Sequence, residues 1–179
     1  MTQPTDIRRV PGDRPRLLDL FCCAGGAGTG YQRAGFAVDG CDIAERPNYP
    51  FAYHRGDALA HLADLIATGE IGRYAFVHAS PPCQDKCTLT VGTNRSQGWG
   101  GAHEDLVAPT RDLLERTGLP YVIEQPNGGG KPTIPELQTA MGITWTDVRE
   151  ELTEAIPPAY SEFSGRAYLT VANLLEVAA

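Results

Sequence analysis

The sequence predicts an α/β protein built as a three-layer α/β/α sandwich around a mostly parallel sheet. Three observations predict it. Short apolar runs alternate with segments whose leucines and alanines recur at helical spacing. The first apolar run leads into the glycine-rich stretch Ala24-Gly25-Gly26-Ala27-Gly28, and later runs end on chemically competent residues, among them Asp42, Cys83 and Glu124.

Taken in order, residues 16–21 read as a buried strand and 25–35 as a turn running into a helix with Tyr31 facing inward. Residues 36–43 form a second strand ending on Asp42. A loop rich in proline and aromatic residues follows, and Asp57 then precedes a helix over 58–68. Residues 74–79 are a further strand that delivers Pro82 and Cys83, and the polar stretch 85–101 reads as a mobile loop. A helix over 104–117 leads through Gly118 to a strand over 120–124. Strands alternating with helices imply right-handed crossovers and about five parallel strands in all. Beyond Pro126, a glycine-rich linker over 127–133 precedes two short helices, 134–141 and 145–152, and a last amphipathic helix over 159–175 opened by Pro157-Pro158. Residues 1–14 read as a flexible arm and 15–179 as one domain.

The 179 residues are 42% hydrophobic and 21% charged, an ordinary globular composition that argues against wholesale disorder. A net charge of -7 argues against a strong, non-specific grip on nucleic acid, for which only a local basic patch would remain. The five cysteines are an odd number with no secretory signal, which fits reduced thiols in a cytoplasm better than a disulfide framework. No apolar run reaches the roughly 20 residues that cross a bilayer, so no membrane partner is expected. Cys83, Cys87, His78 and His103 lack the spacing of a zinc site, and no metal is expected.

In an open α/β sheet, ligands settle at the carboxyl ends of the strands, and the first strand-to-helix turn is the usual cradle. Gly25 and Gly26 would let the backbone approach a ligand closely, and Asp42, ending the next strand, could accept from ribose hydroxyls. The G-x-G-x-x-G spacing of a dinucleotide site is not matched. Taken alone, the turn could serve packing only, Cys83 could be an inert thiol and Glu124 a surface carboxylate.

Three segments in fixed order change that balance: Leu18-Asp19-Leu20-Phe21-Cys22-Cys23-Ala24-Gly25-Gly26, then Ser80-Pro81-Pro82-Cys83-Gln84, then Tyr121-Val122-Ile123-Glu124-Gln125-Pro126. Their order and wording resemble the DNA (cytosine-5) methyltransferase family, in particular its compact phage-type members. The resemblance implies a Rossmann-like S-adenosylmethionine-dependent methyltransferase fold and S-adenosyl-L-methionine as cofactor. It assigns Phe21, Cys22, Ala24 and Gly26 to the first cofactor motif, Asp42 and Ile43 to the ribose and base, and Asp57 with Ala58 to the adenine amino group; Pro82 completes the cofactor set. It makes Cys83 the nucleophile and Glu124 the carboxyl that supports it. A thiolate adding to carbon 6 of cytosine makes carbon 5 nucleophilic, and a carboxylic acid at ring N3 stabilises the charge pushed into the ring. Cys23 stands where the family more often has glycine, Gln125 where it usually has asparagine, and Glu154 departs from the closing motif that Leu152 to Pro158 otherwise resembles.

Between Pro126 and Met141 the family carries two more strands, an arginine-containing motif and a target-recognition region, for which this chain has only the linker and a short helix. The fold is therefore expected to be truncated after the fifth strand, with weak DNA binding of unassigned sequence preference. The alternative reading is a non-catalytic module that binds S-adenosylmethionine and has lost DNA recognition. A monomer is expected rather than a homodimer, in a bacterial or phage-infected cytoplasm. The strand over 120–124 would lie at a sheet edge, to be covered by the segment 131–152 or paired with a second chain that extends the sheet, the first being favoured.

Overall fold

A computed structural model describes residues 14–82, 106–124 and 133–177. Five strands, β1 (Arg16–Leu20), β2 (Ala37–Asp42), β3 (Ala52–Arg55), β4 (Phe76–Ala79) and β5 (Tyr121–Ile123), form one sheet in the order β3-β2-β1-β4-β5. Every pairing is parallel, with Leu18 opposite Asp39 on one side and Val77 on the other. The order reverses between β1 and β4, which is the switch point of a doubly wound, Rossmann-like sheet.

Side-chain alternation along the strands divides the core into two layers. On one face Leu17, Val38 and Phe76 pack with Tyr31 of α1 (Gly26–Ala34) and Tyr168 of α6 (Pro158–Val177). On the other, Leu18, Leu20, Val77 and Ala79 pack with Leu62 and Leu65 of α2 (Ala58–Thr68) and Leu114 of α3 (Val107–Thr117). The three-layer α/β/α sandwich is thus present. The helix α2 begins where the sequence places it because the Asp57 Oδ1 accepts from the Ala60 N–H at 2.8 Å, satisfying an otherwise unpaired first-turn donor. Gly69 ends it at φ 77°, a conformation without penalty only for glycine.

The strand that the sequence leaves unplaced is β3, inside the segment read as a loop. Its four residues, Ala-Tyr-His-Arg, are mostly exposed at the edge, so they carry no apolar period to read. The last region also differs from expectation. The helix α4 (Ile134–Met141) falls as expected, but α5 (Arg149–Glu154) starts four residues later than the 145–152 reading. Trp145 and Thr146 are used in tertiary contacts instead. The segment's apolar residues, Leu137, Ile143, Leu152 and Trp145 among them, form a separate cluster. Among the described residues its hydrogen bonds reach the turn after β1 and the loop after β2, from Trp145 to Ala24 and from Asn48 to Thr146 and Glu151. The half-buried β5 is the outer strand of the described sheet. Among the described residues, no helix is long and apolar enough to cross a membrane.

Candidate functional site

The turn after β1 is unusual in its backbone. Phe21 and Cys23 both have positive φ, 58° and 45°, as does Gly25 at 82°. Each non-glycine residue in this region costs on the order of 1 kcal/mol and persists only where its surroundings hold it. Asp42 supplies much of that hold. Its carboxylate accepts from the Cys23 N–H at 3.0 Å and the Ala44 N–H at 2.9 Å, and Arg46 Nε lies 3.2 Å away as an ion pair. Thus the acid that ends β2 ties the β1 turn to its own loop through two accepted hydrogen bonds and an ion pair, and it keeps acceptor positions for a further donor. Cys22 donates its N–H to the Cys41 carbonyl at 3.2 Å, and the Trp145 Nε1–H reaches the Ala24 carbonyl at 2.9 Å.

Two glycines of α1 are explained by the chain itself. A Cβ on Gly26 would lie 2.1 Å from the Ile156 carbonyl oxygen, and one on Gly30 would lie 1.9 Å from that of Pro158. The close backbone approach that the sequence reading attributes to a ligand at Gly26 is made by the segment entering α6.

The sequence-predicted residues Phe21, Cys22, Ala24, Gly26, Asp42, Ile43, Asp57, Ala58, Pro82 and Glu124 all lie at or just beyond the carboxyl ends of the five strands. Cys22, Ala24, Asp42 and Ala58 are buried, whereas Ile43 is 70% exposed, an apolar side chain open to solvent at the end of β2. Gly56 donates to the Asp42 carbonyl at 2.9 Å, which sets Asp57 beside that strand end. Pro82 is exposed at the exit from β4. The Glu124 N–H donates to the Ala79 carbonyl at 2.9 Å, and so places this acid alongside Ser80. Its side chain is half-buried, Oε2 is buried without a hydrogen-bond partner among the described residues, and burial raises its pKa above the ordinary carboxylate value. Cys83, the stretch 85–101 and the linker over 127–132 lie outside the described residues.

Three described cysteines, Cys22, Cys23 and Cys41, are free and buried. Burial together with nearby acids pushes the Cys22 thiol far up and the Cys41 thiol to about 12, so both are poor nucleophiles at neutral pH. No cluster of three or more His, Cys, Asp or Glu able to hold a metal occurs among the described residues.

The sequence reading gives no role to two buried polar groups near the site, Asp19 and His78, the latter weighed there only as a metal ligand. Asp19, in the middle of β1, is fully buried, with Oδ2 accepting from the Tyr49 hydroxyl at 3.3 Å while Oδ1 has no partner among the described residues. Desolvation raises its pKa to about 8 against the lowering effect of its bonds from Tyr49 and the Gly28 N–H. His78, in β4, bonds Tyr31 through Nδ1 at 3.2 Å and Ser80 through Nε2 at 2.9 Å. An acid among leucines and a histidine in a four-residue apolar strand are the signals that could have marked them. A separate cleft of about 180 Å³, lined by Arg16, Asp39, His54, His61, Arg73 and Tyr74, reaches the first residues of β1 and β3, away from the glycine-rich turn.

No protein-family profile matches the chain, and no curated protein is similar to it in sequence. Among solved structures it is similar to an E. coli protein encoded within prophage Cp and described as a candidate DNA modification methyltransferase, at 19% identity and a TM-score of 0.35. That match covers 57% of this chain and 37% of the other.

Proposed function

We propose that this chain transfers a methyl group from S-adenosylmethionine to carbon 5 of cytosine in DNA, through a transient covalent bond between Cys83 and carbon 6. The observation that carries the reading is Glu124. A half-buried carboxyl with an unpaired oxygen and a raised pKa, fixed beside the Ser80-Pro81-Pro82 exit that leads to Cys83, suits a group that must offer a proton to ring N3. The residues at the strand ends fit the cofactor chemically: Ile43 offers exposed apolar surface to a base, and Asp42 retains acceptor capacity for a ribose hydroxyl. In this reading Phe21, Cys22 and Ala24 form the wall on the methionine side, Asp57 and Ala58 meet the adenine, and Pro82 borders both substrates.

When bound, S-adenosylmethionine supplies a methyl group on a sulfonium. The chain's own part is to orient and to manage charge. Cys83 passes its proton to solvent and adds to carbon 6 while Glu124 holds a proton at N3; once carbon 5 carries the methyl group, a water takes the C5 proton and the electron pair of that bond restores the ring double bond and expels the thiolate. The 15–179 span acts as one domain in solution, as a monomer.

Labelled methyl transfer to mixed-sequence DNA tests the reading. Cys83→Ser is expected to abolish transfer while leaving binding of S-adenosylhomocysteine nearly intact, since a hydroxyl is a far poorer nucleophile at neutral pH. DNA containing 5-fluorocytosine is expected to trap an adduct at Cys83. Cofactor binding without transfer or adduct would favour the non-catalytic module, and an adduct at Cys87 would move the nucleophile.

A further inference from the structure

The hydrogen-bond chain Tyr31–His78–Ser80 joins the helix that starts at the glycine-rich turn to the residue at which the chain leaves β4. Tyr31 is wholly buried, and His78 is its hydroxyl's only partner among the described residues. Were Nδ1–H to donate to Tyr31, the tyrosine hydrogen would be buried without an acceptor, at a cost of roughly 1–3 kcal/mol. The Tyr31 hydroxyl therefore donates to Nδ1. Burial lowers the His78 pKa to about 4, so the ring is neutral at physiological pH and carries a single N–H, which must then be on Nε2. That N–H donates to Ser80 Oγ. Ser80 is held a second time through its backbone, whose N–H donates to the Leu20 carbonyl at 3.2 Å. As an acceptor from His78, Ser80 keeps its own hydroxyl hydrogen, which has no acceptor among the described residues.

We infer that His78 is a positioning residue for the methyl-transfer centre: through Ser80 it fixes the path of Ser80-Pro81-Pro82 opposite Glu124 and sets the Ser80 hydroxyl as a donor at the carboxyl end of β4. The inference rests on the methyl-transfer reading above. An apolar side chain of similar size could fill the same volume of core, but it could not fix the rotation of Ser80. The two prolines after Ser80 carry that fixed direction forward, because their φ angles are restricted.

The test compares Ser80→Ala, Ser80→Thr, His78→Asn and His78→Gln with wild type for methyl transfer and for S-adenosylhomocysteine affinity. Glutamine can offer its amide N–H near the place of Nε2, whereas asparagine reaches only the place of Nδ1. Ser80→Ala and His78→Asn are expected to lower kcat by about 10–100-fold, with cofactor affinity and KM for DNA changed by less than about twofold, because misplacement of a reacting group is felt mainly in the chemical step. Ser80→Thr and His78→Gln are expected to recover most of that loss, which mere core filling would not produce. An unchanged kcat in Ser80→Ala, or equal loss in alanine and threonine variants, overturns the inference while leaving the function intact. Long-range proton–nitrogen NMR of the wild-type protein reads the tautomer independently of activity: a proton on Nε2 is expected, and one on Nδ1 overturns the inference even where folding of a variant fails. A wild type that neither transfers methyl nor forms the fluorocytosine adduct overturns the function first, and the positioning role with it.

Discussion

Asp19→Asn should change how stability depends on pH more than it changes stability at any one pH. The folded-state pKa of Asp19 is about 8 against an ordinary 3.8, so the acid stays protonated in the core to neutral pH. Because the folded value lies above the unfolded one, its contribution to folding is fully present below about pH 4 and is lost as pH climbs through about 8. Each unit of separation is worth about 1.4 kcal/mol, so the loss reaches about 4 kcal/mol at pH 7 and levels off just above pH 8. That is a large share of the roughly 5–15 kcal/mol that stabilises a typical domain. Asparagine keeps an oxygen for the Tyr49 hydroxyl and the Gly28 N–H, and it cannot titrate. Its amide may not be taken as neutral packing, since two N–H donors would replace the unpartnered Oδ1; that penalty is a constant offset, independent of pH. Urea unfolding of both proteins between pH 5 and 9 gives the measurement. The stability of Asp19→Asn relative to wild type should rise by about 1.4 kcal/mol per pH unit up to about pH 8 and then stay level. A flat difference from pH 5 to 8 would refute the reasoning, because it would mean that Asp19 is ionised in the fold.

Gly30→Ala forces a methyl group to within 1.9 Å of the Pro158 carbonyl and 2.1 Å of Ser161 Oγ, so α1 and α6 must separate; a loss of about 1–3 kcal/mol in thermal unfolding is expected. Trp145→Phe removes the bond to the Ala24 carbonyl and should cost about 1 kcal/mol, with weaker binding of S-adenosylhomocysteine by calorimetry as the turn loosens. On the proposed reading Asp42→Asn should weaken cofactor binding by about tenfold to a hundredfold, since the turn loses a charged acceptor and so does the ribose contact that the reading assigns to Asp42; unchanged affinity would place the cofactor elsewhere.

The parts of the fold that were legible in the sequence are those with local causes. Asp57 and the spacing of Leu62 and Leu65 define α2 to the residue, and β1, β2 and β4 announce themselves as apolar runs. The strand β3 was not legible because an exposed edge strand needs no apolar face. The start of α5 was missed for a different reason: Trp145 has high contact potential, and its partner at Ala24 is 121 positions away. The glycine-rich turn was visible, but not what fills it. Nothing near Gly26 in the sequence indicates that Ile156 closes on it, so the residue pattern of a ligand cradle and that of a tight helix crossing look alike until the chain is folded. Asp19 and His78 were hidden by their neighbours, whose hydrophobicity dominates any window that contains them. The strand-end placement of Asp42 and Glu124 followed directly from reading the strands.

The closure of α6 upon α1 also governs when this protein can fold. Ser161 donates to the Ala27 carbonyl 134 positions earlier, and Cys23 Sγ to the Glu151 carbonyl 128 positions away. At roughly 5–20 residues per second, the ribosome delivers those partners on the order of ten seconds after it has made the turn. Until then Gly26 and Gly30 have no surface to pack on, and the positive-φ residues Phe21 and Cys23 lack part of what holds them. Such distant pairings slow folding, since the intervening chain must be closed before any contact rewards the loss of entropy. The glycine-rich turn is therefore synthesised well before the segments that fix its final shape.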